Sequence, residues 1–403
     1  MMPVVMTWEA ASTFGWGILG LNIFFHWAND PDIAPLMVYN INKDNLVMID
    51  PMRMSRINYA INRSNEFAQI ISQVPLEKTV ELNVTVIHGI GNGLEPTRFR
   101  GTTNIGRLIF EDTRFVDFSS KIDPYDVLLV ASNWAKDIVE SHTDKPVHII
   151  HEGIDPSLFF PGPKSGILDP NRFYVFSGGK IEYRKAHDLV MAAFRIFGKQ
   201  HPDAVLITSW HSPFPQISKG FKGILDHPLQ LTANGQINAI QWAIDNGIAP
   251  EQFFDIGPIP NQLMPQVLRE MDVSLQPSRA EACSNLPVME AMACGIPVIL
   301  SNNTGHKDLV ESSERNASEH CISLNEQRTV DSYLDWGTDG WGESSVDEIV
   351  SCLEYIYQNR DIGQAIGRSG AGRILERKLT WGEHASCLKA LVLSLRTPMV
   401  GQF

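Results

Sequence analysis

The chain has 403 residues, which predicts two or three domains. Hydrophobic residues make up 43% of it, enough for packed cores, and this excludes global disorder. Lys and Arg number 33 against 46 Asp and Glu, a net charge of −13, so nucleic acid is excluded as an expected partner because both molecules would repel each other.

The cysteines and the apolar runs bear on the compartment. The cysteines are odd in number and none stands in a C-x-x-C spacing, which excludes a disulfide scaffold and a zinc ribbon: Cys283, Cys294, Cys321, Cys352 and Cys387. The most apolar early run, residues 14–28, is shorter than the roughly 20 residues of a spanning helix. No charged region typical of a signal peptide opens the sequence. We therefore expect a soluble cytoplasmic protein.

The first 150 residues alternate between strand and helix patterns. Gly15 and Gly17 lie in the turn between the first strand and the first helix, and Ser132 is placed to cap a later helix. Strands are predicted at residues 4–6, 34–39, 84–87, 107–110, 127–130 and 147–150, and helices at 18–27 and 132–142. Such alternation predicts a parallel sheet with right-handed crossovers.

A stretch rich in Pro and Gly, residues 153–170, then reads as a linker before the alternation restarts. Strands are predicted at residues 173–176, 205–208, 253–256, 273–275 and 297–300, with helices at 187–201 and over much of 345–395 and a loop insertion at 331–345. We predict an α/β protein of two Rossmann-like doubly wound domains facing a cleft. The predicted boundaries are 1–165, 166–385, and a C-terminal helix in 386–403 that returns to the first domain.

The strongest local pattern lies between Glu281 and Val298. A helix is predicted to begin at residues 285–287, with Pro287 in its first turn and Gly295 just past its end. The N-terminus of such a helix offers free N–H groups to a phosphate. Glu281 and Glu290 flank this start and, as carboxylates, could accept hydrogen bonds from sugar hydroxyls. A capped helix with acidic residues favouring its dipole is the alternative interpretation.

A second pattern follows the first strand of the second half. Gly179 and its neighbour Gly178 let the backbone approach a ligand, and Lys180, Arg184 and Lys185 bring three cations to an acidic protein. A diphosphate would gain charge-assisted hydrogen bonds there. The alternative is a solvated basic loop before a helix.

With the turn at residues 153–161, these segments resemble the family-4 retaining glycosyltransferases. The family hinge G-V-D-x-x-x-F-x-P matches with Ile154 for Val, and its E-A-M-A-x-G-x-P-V segment matches from Glu290. Its diphosphate segment matches with Lys180 where Arg is usual and Ala186 where Gly is usual. The resemblance implies a GT-B fold and transfer of a hexosyl group from a nucleotide-diphosphate sugar to an acceptor hydroxyl, with retention and without a metal or another cofactor.

The resemblance also implies roles for individual residues. Lys180, Lys185 and Arg184 would stabilise the leaving diphosphate beside Gly179, together with backbone N–H groups of Ser284, Asn285 and Leu286. Glu281 would hold sugar hydroxyls and Glu290 the ribose, although eight residues rather than the family's seven separate them.

In the first half, Gly15 and Gly17 would approach the donor phosphates or the acceptor. The family histidine near the reacting sugar aligns with Glu111, and His88 is the other candidate. Asp30 and Asp32 form a D-x-D that we interpret as a turn rather than as a metal site.

Several alternatives stay open at this point. A non-catalytic nucleotide-sugar-binding subunit and a nucleotide-sugar epimerase share the architecture. The acceptor is a saccharide, a lipid-linked molecule or a protein. A negative first domain disfavours electrostatic membrane docking, while an apolar membrane contact through Phe14 and Trp16 is left open.

Overall fold

The computed structural model describes residues 1–212, 214–310 and 320–395. The chain divides into two compact units, an N-terminal unit of Met1–Gly153 with Leu379–Phe403 and a C-terminal unit of Ile154–Lys378. These boundaries differ from the predicted 165/166 and 385/386. The Pro-rich segment after Gly153 packs on the C-terminal unit, where Arg269 donates hydrogen bonds to the carbonyls of Leu158 (2.8 Å) and Phe160 (3.1 Å). The boundary between the two units therefore lies after Gly153, earlier in the chain than composition alone predicted.

The N-terminal unit is built around a parallel sheet. Its strands are β1 (Met2–Met6), β2 (Ile33–Met37), β3 (Val80–Glu81), β4 (Thr85–Ile90), β5 (Phe99–Arg100), β6 (Thr103–Leu108), β7 (Val127–Val130) and β8 (Val147–Ile149). Its helices up to residue 153 are α1 (Gly15–Trp27), α2 (Pro51–Ser72), α3 (Phe118–Ile122) and α4 (Asn133–Glu140). The order β2-β1-β4-β6-β7-β8 reverses direction at β1, so right-handed crossovers place helices on both faces. β3 pairs with β5 apart from this sheet.

Local sequence explains several of these elements. All four residues of β7 are buried, as expected for a strand covered on both faces. The Ser132 hydroxyl accepts a hydrogen bond from the Ala135 N–H and caps α4, as predicted. Helix α2 was not predicted, although Asp50 caps it and Pro51 opens it. The third and fourth predicted strands are confirmed with shifted bounds, the latter ending at Leu108 rather than Phe110.

The C-terminal unit repeats this plan. Its strands are β9 (Phe173–Lys180), β10 (Ala204–His211), β11 (Phe253–Asp255), β12 (Val273–Gln276), β13 (Val298–Ser301), β14 (Ile322–Leu324), β15 (Gln327–Thr329) and β16 (Gly342–Ser344). Its helices are α5 (His187–Gln200), α6 (Pro215–Ser218), α7 (Ala239–Asp245), α8 (Met264–Leu268), α9 (Leu286–Ala293), α10 (Lys307–Val310), α11 (Val346–Gln358) and α12 (Arg360–Glu376). The parallel order β11-β10-β9-β12-β13-β14 has β9 at its centre, and β15 and β16 form an antiparallel pair.

The final helix, α13 (Trp381–Ser394), packs against α1 in the N-terminal unit. The predicted loop insertion at 331–345 is partly wrong, because its last residues form β16. Two Rossmann-like α/β units confirm the predicted fold class. Among the described residues, no helix is both long enough and apolar enough to cross a bilayer.

Candidate functional site

The candidate site of the C-terminal unit lies where the strand order reverses. β9 is central, its chain neighbour β10 lies on one side, and β12 lies on the other. In parallel sheets, the loops leaving the carboxyl ends of such strands flank a ligand-binding crevice. Lys180 ends β9, the loop after it carries Arg184 and Lys185, and the loop after β12 carries Glu281 and Asn285. This topology brings together two segments that are about a hundred residues apart in sequence.

The chain turns tightly between the end of β9 and α5. Gly179, the second-last residue of β9, has a φ of +124°, a conformation that favours glycine. A short 3-10 turn at Tyr183–Lys185 leads to Ala186, whose φ of +56° lies in the left-handed region. The resembled family usually has glycine at this position, and the backbone explains why: a side chain costs roughly 1–2 kcal/mol there. Here the loop keeps that conformation with an alanine, buried in the core.

Two cations of this loop pair with one carboxylate. Lys185 Nζ lies 2.7 Å from Glu281 Oε1 and 2.8 Å from Oε2, and Arg184 Nη1 lies 3.1 Å from Oε2. Both cationic side chains are 11% exposed and Glu281 is buried. Since isolated charges are costly to bury, the three groups stabilise one another. The structure thus brings the predicted Arg184, Lys185 and Glu281 into one cluster.

Glu281 is also held by neutral donors. Its Oε1 accepts hydrogen bonds from Ser278 Oγ (2.6 Å) and Asn285 Nδ2 (3.0 Å). Burial alone would raise the pKa of Glu281, but Lys185 and Arg184 outweigh burial and lower that pKa to about 2. Glu281 is therefore an anion whose oxygens already accept from four side chains. Its predicted role towards sugar hydroxyls stays a prediction, and it requires a rearrangement of these contacts.

Lys180 lies apart from this cluster. Its Nζ is 2.5 Å from Glu182 Oε1, and Arg184 Nε is 2.8 Å from Glu182 Oε2. The Lys180 side chain is 36% exposed, so its ion pair is screened by water. Of the three predicted cations, Lys185 pairs with Glu281 and Lys180 pairs with Glu182. Arg184 contacts both carboxylates.

The start of α9 holds polar atoms without protein partners. Asn285 occupies the N-cap position of α9 with a φ of +67° and without a side-chain capping bond; it is 4% exposed, and Ser284 is 1% exposed. Among the described residues, neither Ser284 Oγ nor Asn285 Oδ1 has a hydrogen-bond partner. Buried polar atoms usually have one, so these two atoms are available for hydrogen bonds with water or with a ligand. Leu286 is the first residue of α9, and Pro287 and Gly295 occupy the predicted positions at its two ends.

Glu290 lies one turn further along α9 in a different environment. It is buried, and Asn261 Nδ2 donates a hydrogen bond of 2.5 Å to its Oε1. Burial raises the pKa of Glu290 to about 8, although the Asn261 hydrogen bond acts in the opposite direction. Glu290 is thus a neutral acid at pH 7, able to donate as well as to accept a hydrogen bond.

Three residues that the sequence analysis missed support this site. Asn261 is the partner of Glu290, and His306 lies 3.1 Å from the Asn285 amide nitrogen. Arg279 is fully buried, pairs with both oxygens of Asp188 at 2.7 and 2.8 Å, and donates to the Tyr183 carbonyl at 2.7 Å. It therefore ties the cation loop to the loop that carries Glu281. No local pattern marks these residues, because their partners are distant in sequence.

Gly15 and Gly17, the two predicted glycines of the N-terminal unit, differ in the space around them. Gly15 is the exposed first residue of α1, and a Cβ added there would meet no atom within 4 Å. At Gly17, an added Cβ would lie 2.6 Å from Ala11 Cβ. Gly17 therefore allows close packing of the turn, while Gly15 leaves its backbone accessible. Phe14 and Trp16 beside them are half-buried.

His88 and Glu111, also in the N-terminal unit, are both buried. His88 lies within β4, with Nδ1 2.7 Å from Thr97 Oγ1 and Nε2 3.0 Å from Asn104 Oδ1. Burial lowers the pKa of His88 to about 4. Glu111 follows β6, where Asn92 Oδ1 accepts from its backbone N–H at 2.8 Å. These contacts give His88 a structural function in the strand, and the catalytic role of either residue stays a prediction.

The D-x-D sequence forms a turn. Asp30 Oδ1 accepts hydrogen bonds from the backbone N–H groups of Asp32 (2.8 Å) and Ile33 (3.1 Å). Lys389 of α13 pairs with both carboxylates, at 2.7 Å from Asp30 and 2.8 Å from Asp32. Within residues 1–212, 214–310 and 320–395, no group of three or more His, Cys, Asp and Glu side chains is arranged to hold a metal ion.

Residues 213–329 match the family model described as Glycosyl transferases group 1. No curated protein matches the sequence at a significant level.

Solved structures resemble the chain over nearly its whole length. Sucrose-phosphate synthase from Thermosynechococcus elongatus is 14% identical with a TM-score of 0.63, over 98% of this chain and 99% of that chain. HepE from Anabaena, solved in complex with UDP and glucose, is 11% identical with a TM-score of 0.63, over 98% and 100%. A glycosyltransferase from Rickettsia africae is 11% identical with a TM-score of 0.62, over 98% of each chain. The chain therefore has the GT-B fold, and residues 213–329, which include the Glu281 loop and α9, match the group 1 glycosyltransferase model.

Proposed function

We propose that this protein is a retaining glycosyltransferase, which moves a hexosyl group from a nucleotide-diphosphate sugar to an acceptor hydroxyl without a metal ion. The observation that carries the proposal is the pair of nearly buried cations, Arg184 and Lys185, held beside Glu281 at the reversal of the strand order. The family match over residues 213–329 and the GT-B fold support it. HepE, with the same fold, was solved with UDP and glucose bound.

In this mechanism the diphosphate leaves with growing negative charge. Lys185 and Arg184 stabilise that charge, and the hydroxyl of Ser284 with the N–H groups at the start of α9 adds hydrogen bonds. Glu281 keeps the cations paired before the donor binds, which lowers the cost of burying them. The diphosphate then competes with Glu281 for the same donors. Glu290 contacts the ribose hydroxyls as a neutral acid.

Metal independence follows from the same cations, which take the place of a divalent ion at the leaving group. The only co-substrate is the nucleotide sugar, and we propose no further cofactor. Retention accords with the resembled family, where the leaving phosphate helps to take the acceptor proton on the same face. The acceptor is a saccharide, a lipid-linked molecule or a protein, and the reaction takes place in the cytoplasm.

The first test is a binding panel of UDP, GDP, ADP and dTDP with their glucose conjugates, read by thermal shift. A ligand at 100 times its dissociation constant stabilises the protein by about 2.7 kcal/mol. We expect one nucleoside diphosphate and its sugar conjugate to raise the unfolding temperature. If no member of the panel binds, the proposed function is contradicted.

The second test removes Lys185. Lys185→Ala should lower the turnover of the preferred donor by on the order of 100-fold or more, because it removes a cation from the leaving group. Lys199→Ala, at an exposed position near the end of α5, is the matched control and should keep the original rate. Turnover is measured as released nucleoside diphosphate. A near-normal rate in Lys185→Ala would contradict the assignment.

Product analysis tests the finer claims and the alternatives. An anomeric configuration that is unchanged between donor and product supports retention, and full activity in a chelator supports metal independence. Incubation with the donor alone detects an isomerised sugar, the product expected of an epimerase. Binding without turnover on any acceptor identifies a non-catalytic nucleotide-sugar-binding subunit instead.

A further inference from the structure

His306 is a buried histidine for which the proposed reaction has so far given no role. It ends a 3-10 turn at Thr304–His306, directly before α10. Its side chain is fully buried and lies among residues of the candidate site rather than in an apolar core. The contacts of its two ring nitrogens determine what it does there.

The Asn285 amide links His306 to Glu281. Asn285 Nδ2 lies 3.0 Å from Glu281 Oε1 and 3.1 Å from His306 Nε2. Glu281 is an anion and can only accept hydrogen bonds, so the amide must face it with the NH2 group. The second amide hydrogen is then directed to His306 Nε2. That nitrogen can accept it only when it carries no proton.

The contacts of Nδ1 show independently that the proton of the ring is on Nδ1 and not on Nε2. His306 Nδ1 lies 3.0 Å from Ser301 Oγ, and Ser301 Oγ donates to the Ser278 carbonyl at 2.6 Å. Because the Ser301 hydrogen is used in that bond, Ser301 Oγ accepts from His306 Nδ1–H. The ring is therefore the neutral tautomer with its proton on Nδ1. Burial, the largest effect on His306, lowers its pKa to about 4, consistent with a neutral ring.

This chain of hydrogen bonds satisfies every polar atom in it except Asn285 Oδ1. That oxygen is buried and has no partner among the described residues. An unsatisfied buried acceptor requires a donor. Ionised phosphate oxygens only accept and cannot supply one, whereas a hydroxyl group can. The diphosphate therefore cannot donate a hydrogen bond to Asn285 Oδ1, whereas a hydroxyl group of the sugar can.

We propose that His306 is a positioning residue, whose unprotonated Nε2 holds the Asn285 amide so that Asn285 Oδ1 accepts a hydrogen bond from a hydroxyl of the donor's sugar. This inference rests on the proposed function and adds to it a determinant of donor recognition. Asn285 touches the sugar, and His306 acts only through Asn285.

The test compares a nucleoside diphosphate with its glucose conjugate, taken as the best-binding pair of the panel above. His306→Phe keeps an aromatic ring, slightly larger than the imidazole, and removes both nitrogens, so the Asn285 amide loses one of the two groups that hold it. We expect its affinity for the sugar conjugate, measured by calorimetry, to fall about tenfold, as for the loss of one hydrogen bond. Affinity for the nucleoside diphosphate should stay within about twofold, because phosphate does not contact Oδ1.

A conservative variant separates positioning from packing. His306→Gln offers an oxygen to Asn285 and an NH2 group to Ser301, so it should recover most of the affinity for the sugar conjugate. If His306→Phe does not fold, His306→Leu serves instead. It also removes both ring nitrogens and should weaken binding of the sugar conjugate selectively.

Each outcome of these binding experiments either supports or overturns the inference. Equal losses for both ligands, no loss for either, or no recovery in His306→Gln would overturn the inference while leaving the proposed function intact. Absence of any binding by the unaltered protein would overturn both. A selective loss of the sugar conjugate with recovery by glutamine supports the inference.

Discussion

Glu281 and Glu290 flank the start of the same helix, but the protein gives them opposite chemistry. Glu281 accepts hydrogen bonds from two cations and two neutral side chains, which keep its pKa at about 2. Glu290 has Asn261 as its hydrogen-bond donor, and burial raises its pKa to about 8. Both carboxyl groups are buried, so burial alone does not decide their charge. The difference lies in whether cations from another loop reach them.

This contrast separates two ways of recognising hydroxyl groups. An anion can only accept hydrogen bonds, whereas a neutral carboxylic acid both donates and accepts. The Glu281 region is therefore an ionic cluster that a charged ligand can rearrange. The Glu290 region is a neutral site whose behaviour depends on pH near neutrality.

The largest expected effect comes from removing Glu281. Glu281→Ala leaves Lys185 and Arg184 nearly buried without their shared anion, so we expect a loss of about 3–5 kcal/mol in the free energy of unfolding. Denaturant unfolding measures it. Glu376→Ala, which removes an exposed carboxylate paired with Arg373 in the same unit, is the control and should cost about 0.5 kcal/mol or less. Equal effects in the two variants would contradict the ionic cluster.

The second effect is a pH dependence at Glu290. Its pKa is about 8 in the folded chain against 4.5 for an ordinary glutamate, so the folded state keeps a proton that the unfolded state releases between these values. Glu290 therefore makes stability fall as pH rises from 4.5 to 8. Glu290→Gln stays neutral at every pH.

The stability of Glu290→Gln relative to the unaltered protein should therefore increase across this window and level off above pH 8. Thermal unfolding at a series of pH values measures the difference, which cancels the other titrating groups. Glu281 contributes with the opposite sign: its stabilisation is present above pH 4.5 and is lost as pH falls towards 2. A flat difference for Glu290→Gln would show that Glu290 is charged.

The smallest effect on stability is expected at Ser284. Its buried hydroxyl has no partner among the described residues, so Ser284→Ala should change the free energy of unfolding by less than about 0.5 kcal/mol. Affinity for the nucleoside diphosphate should nevertheless fall about tenfold, because a hydrogen bond to a charged oxygen is lost. Calorimetry measures the affinity for the nucleoside diphosphate, and thermal unfolding of the same preparation measures the stability. Unchanged affinity would place the diphosphate elsewhere.

Many elements of this protein were predictable because their signals are local. Apolar runs marked β7 and β9, and Ser132 marked the start of α4. Pro287 and Gly295 marked the two ends of α9. Helix α2 escaped prediction although its buried residues follow helical spacing, since exposed apolar residues such as Met52, Tyr59 and Ile70 obscure that pattern. The boundary between the two units was also not predicted, because it depends on what the Pro-rich segment packs against.

The sequence by itself determined two α/β units, a turn rich in cations after β9, and a helix start between two acidic residues. Only the tertiary structure decided which of those acids is charged, because Lys185 and Glu281 lie 96 positions apart and meet through the strand order. It also decided the roles of Arg279, Asn261 and His306, whose partners come from other loops. Charge and proton position depend on the local electrostatic environment, and that environment exists only once distant segments have packed together.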